Sequence, residues 1–318
     1  MTDVGFALSS ELYGPGELVD QAARAEAAGF DFVALSDHYH PWIPDQGESP
    51  FAWTTLGGVA EATDEIEVGT GVTCPIQRYH PALLAQATAT AAEMLDGRFF
   101  FGVGTGERLN EHVVGDYWPP AAVRLEMLDE AVRVIRALWR GDEITHHGDH
   151  YTVENAKLFT LPEEPPPVYA SAYGPKAATL AAEIGDGFYT VGPQEEPLQR
   201  YRDEGGEGPA YAQLTVSYAD SEDEAVEQAH ERWPNTALPG DLSTELGTPV
   251  HFRQASQQVS KADIAEGSTV TDPDPSTHVE QIESFAEAGF DHVVVHQVGA
   301  DVEGVLQTYE DEVLSEID

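Results

Sequence analysis

One four-residue joint occurs at both ends of the chain. Ala28-Gly29-Phe30-Asp31 runs into the apolar stretch Phe32-Val33-Ala34-Leu35, and Ala288-Gly289-Phe290-Asp291 runs into His292-Val293-Val294-Val295. In each copy the glycine ends a helix, the phenylalanine can pack beneath a barrel, and the aspartate turns the chain into a buried strand. A repeated unit of this kind predicts α/β architecture from one end of the chain to the other. With 318 residues there is room for a barrel of roughly 250 residues plus insertions.

The segments between the two joints follow the same alternation. Val4 to Leu8 reads as a first strand, and a helix from Pro15 to Gly29 carries Leu18, Val19, Ala22, Ala23 and Ala27. After the second strand, Phe32 to Leu35, a third is expected over Ile66 to Pro75 and a helix over Pro81 to Leu95. A fourth strand spans Arg98 to Gly104, and a helix from about Ala121 to Arg140 places Leu125, Leu128, Val132, Ile135 and Leu138 at core spacing. Strands five to eight are Val168 to Ser171, Gly187 to Val191, about Ala212 to Tyr218, and His292 to His296. The expected fold is a (β/α)8 TIM barrel forming a single domain over residues 1–318, with insertions at about 141–166 and 234–275. The first insertion is expected to be a short hairpin; the second, rich in Ser, Thr, Gly and Gln, a lid or substrate-side element.

Composition removes several function classes. Asp and Glu number 57 against 15 Lys and Arg, a formal charge of -42, yet 41% of residues are apolar, so the chain has the makings of a core. The acidity is spread along the whole length and the only lysines are Lys157, Lys176 and Lys261, as expected of a surface kept hydrated in concentrated salt. This points to a halophile's cytoplasm. Such a charge repels phosphate backbones and anionic headgroups, so nucleic-acid and membrane roles are not expected. The lone Cys74 excludes an intrachain disulfide and any Cys-rich metal centre, and no segment approaches the ~18 apolar residues of a membrane span. The amino terminus lacks the basic and apolar regions of a signal peptide. His146, His147 and His150 lie on an irregular stretch without matching carboxylates, which argues against a metal site.

The chemistry-bearing residues gather just beyond strand ends, where parallel α/β proteins place their sites. Ser36-Asp37-His38-Tyr39-His40-Pro41-Trp42 follows strand two, Glu11 follows strand one, and Glu107 follows strand four. A His and a Glu facing each other across a pocket can share the proton work of an alcohol oxidation, because loss of hydride from a carbinol carbon requires the hydroxyl proton to leave as well. Trp42 supplies an aromatic wall. After strand five, Tyr173-Gly174-Pro175-Lys176 opens a helix whose free amides, with Lys176, suit an anionic group. The glycine-rich run Gly102-Val103-Gly104-Thr105-Gly106 lacks Walker spacing.

Three of these stretches resemble one family in order and spacing: Ser36 to Trp42, Thr73-Cys74-Pro75-Ile76-Gln77-Arg78-Tyr79-His80-Pro81, and Gly102 to Glu111. They look like the luciferase-like barrels that use the deazaflavin coenzyme F420, in the branch of the glucose-6-phosphate and secondary alcohol dehydrogenases. The resemblance runs from residue 3 to about 220 and resumes at 276. It implies that His38 and Glu107 are an acid/base pair, that Trp42 stacks near the reacting carbons, and that Glu11 completes the substrate pocket. It implies a deazaflavin lined by Asp37, Cys74, Thr105, Gly106 and Asn110, backed by a cis peptide at Gly71-Val72, with its phosphate held by Tyr173, Gly174, Lys176 and Ala177. It also implies a homodimer. The sugar-phosphate enzymes anchor their substrate with a Thr and a Lys after strand six, where this chain has Val191 and Gln194, and from residue 203 onward only Arg232, Arg253 and Lys261 are basic. An uncharged sugar or a secondary alcohol is therefore the expected substrate. The competing expectations are a glucose-6-phosphate dehydrogenase, an FMN-dependent monooxygenase of the same fold, and a barrel that only carries the deazaflavin.

Overall fold

The computed structural model describes residues 2–317. Its ten strands are β1 (Asp3–Leu8), β2 (Phe32–Leu35), β3 (Glu67–Thr70), β4 (Phe99–Val103), β5 (Ile144–His147), β6 (Thr152–Ala156), β7 (Val168–Ser171), β8 (Gly187–Val191), β9 (Ala210–Val216) and β10 (His292–Gln297). Eight close into a parallel barrel in the order β1-β10-β9-β8-β7-β4-β3-β2, and β5 and β6 form a separate antiparallel hairpin. The barrel and the hairpin at 141–166 agree with the sequence expectation.

The repeated joint works alike in both copies. Gly29 and Gly289 take left-handed φ angles of 90° and 94°, ending the helices Pro15–Ala28 and Pro275–Glu287. Asp31 Oδ2 then accepts the Val4 amide at 2.8 Å, and Asp291 Oδ2 accepts the Ala210 amide at 2.8 Å. Each aspartate thus satisfies the first free donor of a neighbouring strand. Asp186 does the same for Val168, at 2.9 Å, without the rest of the joint. Phe30 is buried under the barrel, stacked on Tyr309 with ring centroids 5.6 Å apart and edge-on to Phe6.

Inside the barrel, Phe32, Phe100, Tyr169, Tyr189 and Tyr211 fill the axis with Val294. They fit because two inward positions are glycine: a Cβ at Gly5 would lie 2.3 Å from the Phe32 ring, and one at Gly69 would lie 2.1 Å from Phe100. Outside, the helix Ala121–Trp139 buries Leu128, Val132, Ile135 and Leu138 as expected.

Several boundaries differ from expectation. β3 stops at Thr70, well short of Pro75, and the chain rejoins β4 only through a bridge from Thr73 to Val103. β9 begins two residues before Ala212 and ends at Val216, because the Asp291 cap fixes its start at Ala210. The first helix buries Leu18, Ala22, Ala25 and Ala28, while Ala27 faces solvent. A helix at Ala52–Ala62 was not anticipated; its Gly57-Gly58 pair and lack of a side-chain cap blur the sequence signal.

The second insertion rises from the C-terminal end of β9. It begins ahead of the expected residue 234 with the helix Glu222–Arg232, continues through Pro234–Ala237, Leu242–Glu245, Pro249–Ser256 and Lys261–Ala265, and returns before the expected 275, where Val270 bridges Val216. No helix among the described residues is long and apolar enough to cross a membrane.

Candidate active site

A cavity of about 490 Å³ opens at the C-terminal end of the barrel, between the strand ends and the second insertion. It gathers Glu11, Asp37, His38, Trp42, Gly71, Val72, Cys74, Gly106, Glu107, Asn110 and Tyr173 on one surface. Thr105 is not part of that lining, nor are Gly174, Lys176 and Ala177, which lie at and just inside the start of the helix Pro175–Ile184. Of the four residues expected at an anion site after β7, only Tyr173 reaches the cavity.

Glu11 and His38 form the first unit. Glu11, 2% exposed, places Oε1 3.3 Å from His38 Nδ1, while its Oε2 accepts the Ser36 hydroxyl at 2.8 Å. Ser36 is tied in turn to Ser10, whose amide and hydroxyl lie 2.9 and 2.8 Å from its Oγ. The imidazole is thereby held from β1 and β2 together: Nδ1 hydrogen-bonds the His40 carbonyl at 3.3 Å and lies 3.3 Å from Glu11 Oε1, and Nε2 is left without a protein partner among the described residues. Trp42 meets the His38 ring edge-on at 5.0 Å and is held by Phe252 of the insertion at 5.2 Å.

Asn110 ties the opposite wall to the His38 loop. Its Oδ1 accepts the amides of Tyr39 and His40 at 2.9 and 3.1 Å, and its Nδ2 donates to Glu107 Oε2 at 3.5 Å. One asparagine therefore fixes the loop after β2 relative to the carboxylate after β4. On the floor, the peptide between Gly71 and Val72 is cis. A Cβ at Gly71 would lie 2.6 Å from the Tyr189 hydroxyl, and one at Gly106, φ 65°, would lie 2.4 Å from Cys74 Sγ. Both glycines are positions where backbone must come close to a neighbour.

Beneath this surface lies a charge network that sequence reading missed. Arg78 donates to Asp37 Oδ1 at 2.9 Å and to the Asp37 carbonyl at 2.7 Å, and its Nε is 3.4 Å from Glu111 Oε1. Thr73 and Tyr79 complete the shell of Asp37 with hydroxyl donors at 2.8 and 3.0 Å. One guanidinium serves two fully buried carboxylates. Burial pushes the Glu111 carboxyl up to about 7 although Arg78 opposes it. Burial likewise holds the Cys74 thiol well above its ordinary value, so this cysteine is a neutral wall and not a nucleophile.

His296, Gln213, Thr215, Trp233 and Tyr189 also line the cavity and were not picked out. For His296 the signal was present: Val293-Val294-Val295 stops at an imidazole just as Leu35 stops near His38. Burial lowers its pKa to about 4 against the pull of Glu11, and Gln213 Nε2 donates to its Nδ1 at 3.0 Å. The ring is therefore neutral, with the proton on Nε2. The hydroxyls of Ser9, at the cavity edge, and of Tyr189, at its floor, are buried without a protein partner.

Among the described residues neither Lys nor Arg lines the cavity. The three basic residues after position 203 are engaged elsewhere. Arg232 donates to the Val298 carbonyl at 2.9 Å and Arg253 pairs with Asp45, while Lys261 sits 2.7 Å from Glu227. Val191 reaches the cavity, whereas Gln194 caps the helix Glu195–Asp203. His146 pairs with Glu130 at 2.9 Å and His150 with Glu126 at 3.7 Å, and no group of side chains suited to a metal occurs among the described residues.

Comparison with known proteins agrees with this architecture. The family described as luciferase-like monooxygenase matches residues 2–292. The F420-dependent glucose-6-phosphate dehydrogenase of Microbacterium testaceum is 35% identical over 98% of this chain and 96% of its own. That of Intrasporangium calvum is 37% identical over 99% and 98%. Among solved structures, an F420-dependent secondary alcohol dehydrogenase in complex with an F420-acetone adduct superposes with a TM-score of 0.92 at 33% identity, covering 100% of this chain and 99% of that one. With its closed barrel, its cavity at the strand ends and these relatives, the chain belongs to the luciferase-like family, among the F420-dependent oxidoreductases.

Proposed function

We propose that the protein is an F420-dependent dehydrogenase acting on the carbinol group of an uncharged alcohol or sugar. The observation that carries this reading is the Glu11–His38 pair, with its free Nε2 facing a cavity that holds Glu107 and lacks any Lys or Arg. The residues fit a deazaflavin: the unpartnered Tyr189 and Ser9 hydroxyls are spare polar contacts beside the Gly71–Val72 floor, and Gly106 leaves a cradle that a side chain would fill. Asp37, Cys74, Asn110 and Tyr173 would hold the ring system, with Thr105, Gly174, Lys176 and Ala177 toward its phosphate tail. When bound, the cofactor supplies the hydride acceptor. His38 takes the hydroxyl proton at Nε2, and Glu11, 3.3 Å from Nδ1, stabilises the resulting imidazolium by its charge while the His40 carbonyl accepts from Nδ1–H. Glu107, steadied by Asn110, carries the second proton position, while Trp42 and Phe252 exclude water and shape the substrate side.

The test is loss of oxidised F420 absorbance on adding carbinols to the purified protein in concentrated KCl. Reduction by a neutral substrate supports the reading. Reduction only by glucose 6-phosphate would make the chain a sugar-phosphate enzyme like its curated relatives. Turnover with FMN and oxygen, and none with F420, would make it a monooxygenase. Tight F420 binding without any reduction would leave only a carrier.

The same reading includes a cytoplasmic, salt-adapted homodimer from a halophilic archaeon. It is supported by the charge of -42, the lone free thiol of Cys74, and the exposed apolar side chains Phe51, Leu83 and Tyr117, which suit contact with a second copy. Sedimentation at high and low salt tests the assembly.

A further inference from the structure

Part of the cavity wall is built from the excursion between β9 and β10, and its chemistry is more demanding than a simple alcohol requires. Asn235, Asp241 and Ser243 line it, and from the barrel so do Thr215 and His296. Few of their polar atoms are spent within the protein. Thr215 Oγ1, Ser243 Oγ, the Asp241 carboxylate and His296 Nε2 have no hydrogen-bond partner among the described residues, and Asn235 uses only its Oδ1, in a 3.5 Å contact with Gln46. Thr215 and His296 are buried in the wall, Asn235 and Ser243 are half-buried, and Asp241 lies at the exposed rim. Trp233, only 7% exposed and set edge-on against His296 at 4.8 Å, adds a rigid apolar surface beside the polar groups.

A short alkyl alcohol brings one hydroxyl, and His38 would take it. The buried groups among the rest, Thr215 Oγ1 and His296 Nε2, would then lose water without gaining a partner, at roughly 1–3 kcal/mol each. A phosphorylated substrate meets the opposite difficulty, since the wall offers Asp241 and Glu11 and no cation. A ring carrying several hydroxyls and no charge satisfies the wall: its oxygens accept from His296 Nε2–H and Asn235, its hydroxyls donate to Asp241, and its C–H face lies on Trp233.

Building on the proposed function, we infer that the substrate is a free aldose in its cyclic hemiacetal form, oxidised at the anomeric carbon and held by the Trp233, Asn235, Asp241, Ser243 and His296 subsite. In the reaction the C1–H bond breaks and its electron pair leaves as hydride to the oxidised deazaflavin. The C1 hydroxyl proton passes to His38 Nε2 as the C1=O bond forms, and the product is the lactone. Two electrons leave the sugar and two reduce the cofactor.

The experiment is steady-state F420 reduction by the full-length protein in concentrated KCl with D-glucose and other aldoses, propan-2-ol and glucose 6-phosphate, the product being identified by NMR. The expected result is a lactone or its aldonate, with kcat/KM for the best aldose at least about 100-fold above that for propan-2-ol, from two unpaired groups at the magnitude above. 1,5-Anhydroglucitol, the same ring without the C1 hydroxyl, should compete with the aldose and give no reduction. Asn235→Ala and Ser243→Ala should raise KM for the aldose about 10-fold each with less change in kcat, and their unfolding midpoints check that the fold is kept. A kcat/KM for propan-2-ol equal to or above every aldose overturns the inference and leaves the proposed function standing. Preference for glucose 6-phosphate over glucose overturns it too, by showing that the wall accepts a dianion. Absence of reduction by any carbinol sinks the proposed function itself.

Discussion

Glu111→Gln is the perturbation whose consequence follows most directly from the charge network. Arg78 is the one cation shared between the buried Asp37 and Glu111 carboxylates, and Glu111 retains its proton up to about 7 against an ordinary 4.5. Between those two pH values the unfolded chain has released this proton and the native chain has not. The unfolded state therefore binds fewer protons, and the contribution to stability is complete below 4.5 and lost as pH rises through about 7. At ~1.4 kcal/mol per pH unit the full contribution is about 3 kcal/mol, of which about 2.5 is lost between pH 5 and pH 8. His296 runs the other way. Held down to about 4 from 6.5, it stabilises the fold above pH 6.5 and this support fades as pH falls toward 4. The two partly cancel in the native protein, so its own pH profile is uninformative. Glutamine at position 111 keeps an oxygen for the Arg78 amide, now 2.8 Å from Glu111 Oε2, and cannot titrate. Urea unfolding of both proteins at pH 5 and pH 8, in the same KCl concentration, should show the stability gap between native and variant shifting by about 2.5 kcal/mol in favour of the native protein at pH 5. A gap that is the same at both pH values refutes the account in which burial outweighs Arg78 and keeps Glu111 protonated.

Replacing His38 by Ala should cut turnover by ~10²–10⁴-fold while F420 binding, read by fluorescence titration, persists; equal loss of binding would remove its acid/base role. Gly106→Ala must place a methyl group 2.4 Å from Cys74 Sγ at φ 65°, so it should cost about 1–3 kcal/mol in unfolding free energy and weaken F420 binding. Phe30→Ala removes the ring stacked on Tyr309 under the barrel and should destabilise by about 3–5 kcal/mol without changing KM. The melting temperature should rise steeply with KCl, because screening relieves a net charge of -42; a flat response would leave the salt-adaptation reading without support.

The barrel was legible because its signals are local. Gly29 and Gly289 announce left-handed caps, and short apolar runs such as Phe32 to Leu35 leave one reading for the segments they open. That His38, Glu11 and Glu107 would meet at one end of the barrel was legible for a related reason, since each lies shortly past such a run and all three line the cavity. Arg78 and Glu111 were not, because their meaning is a distance: 33 residues separate them in sequence and nothing in either segment marks a shared partner. The same holds for Gln213 and His296, whose pairing exists only when β9 and β10 lie side by side. β3 was over-read because the Val72-Thr73 stretch has strand composition, while a cis peptide leaves no trace in hydrophobic pattern. The segment 234–275 was recognised as excess length, and which of its side chains turn inward depends on packing that no periodicity encodes.

The excursion between β9 and β10, which contains most of that segment, is stitched to the rim at its base. The Ser217 amide donates to the Val270 carbonyl at 2.8 Å, and the Val270 amide donates to the Thr215 carbonyl at 2.9 Å, so entry and exit are stitched side by side on the rim. Loop-closure cost grows only slowly with length when the ends are fixed this way. The span from 218 to 269 is thus closed at its base, so that its length can vary at little entropic cost, while Phe252 and Arg232 tie its body to Trp42 and Val298. A transplant of this excursion must therefore carry its further ties as well, from Tyr218 to Gln297, from Gln228 to Ala300 and from Arg232 to Val298.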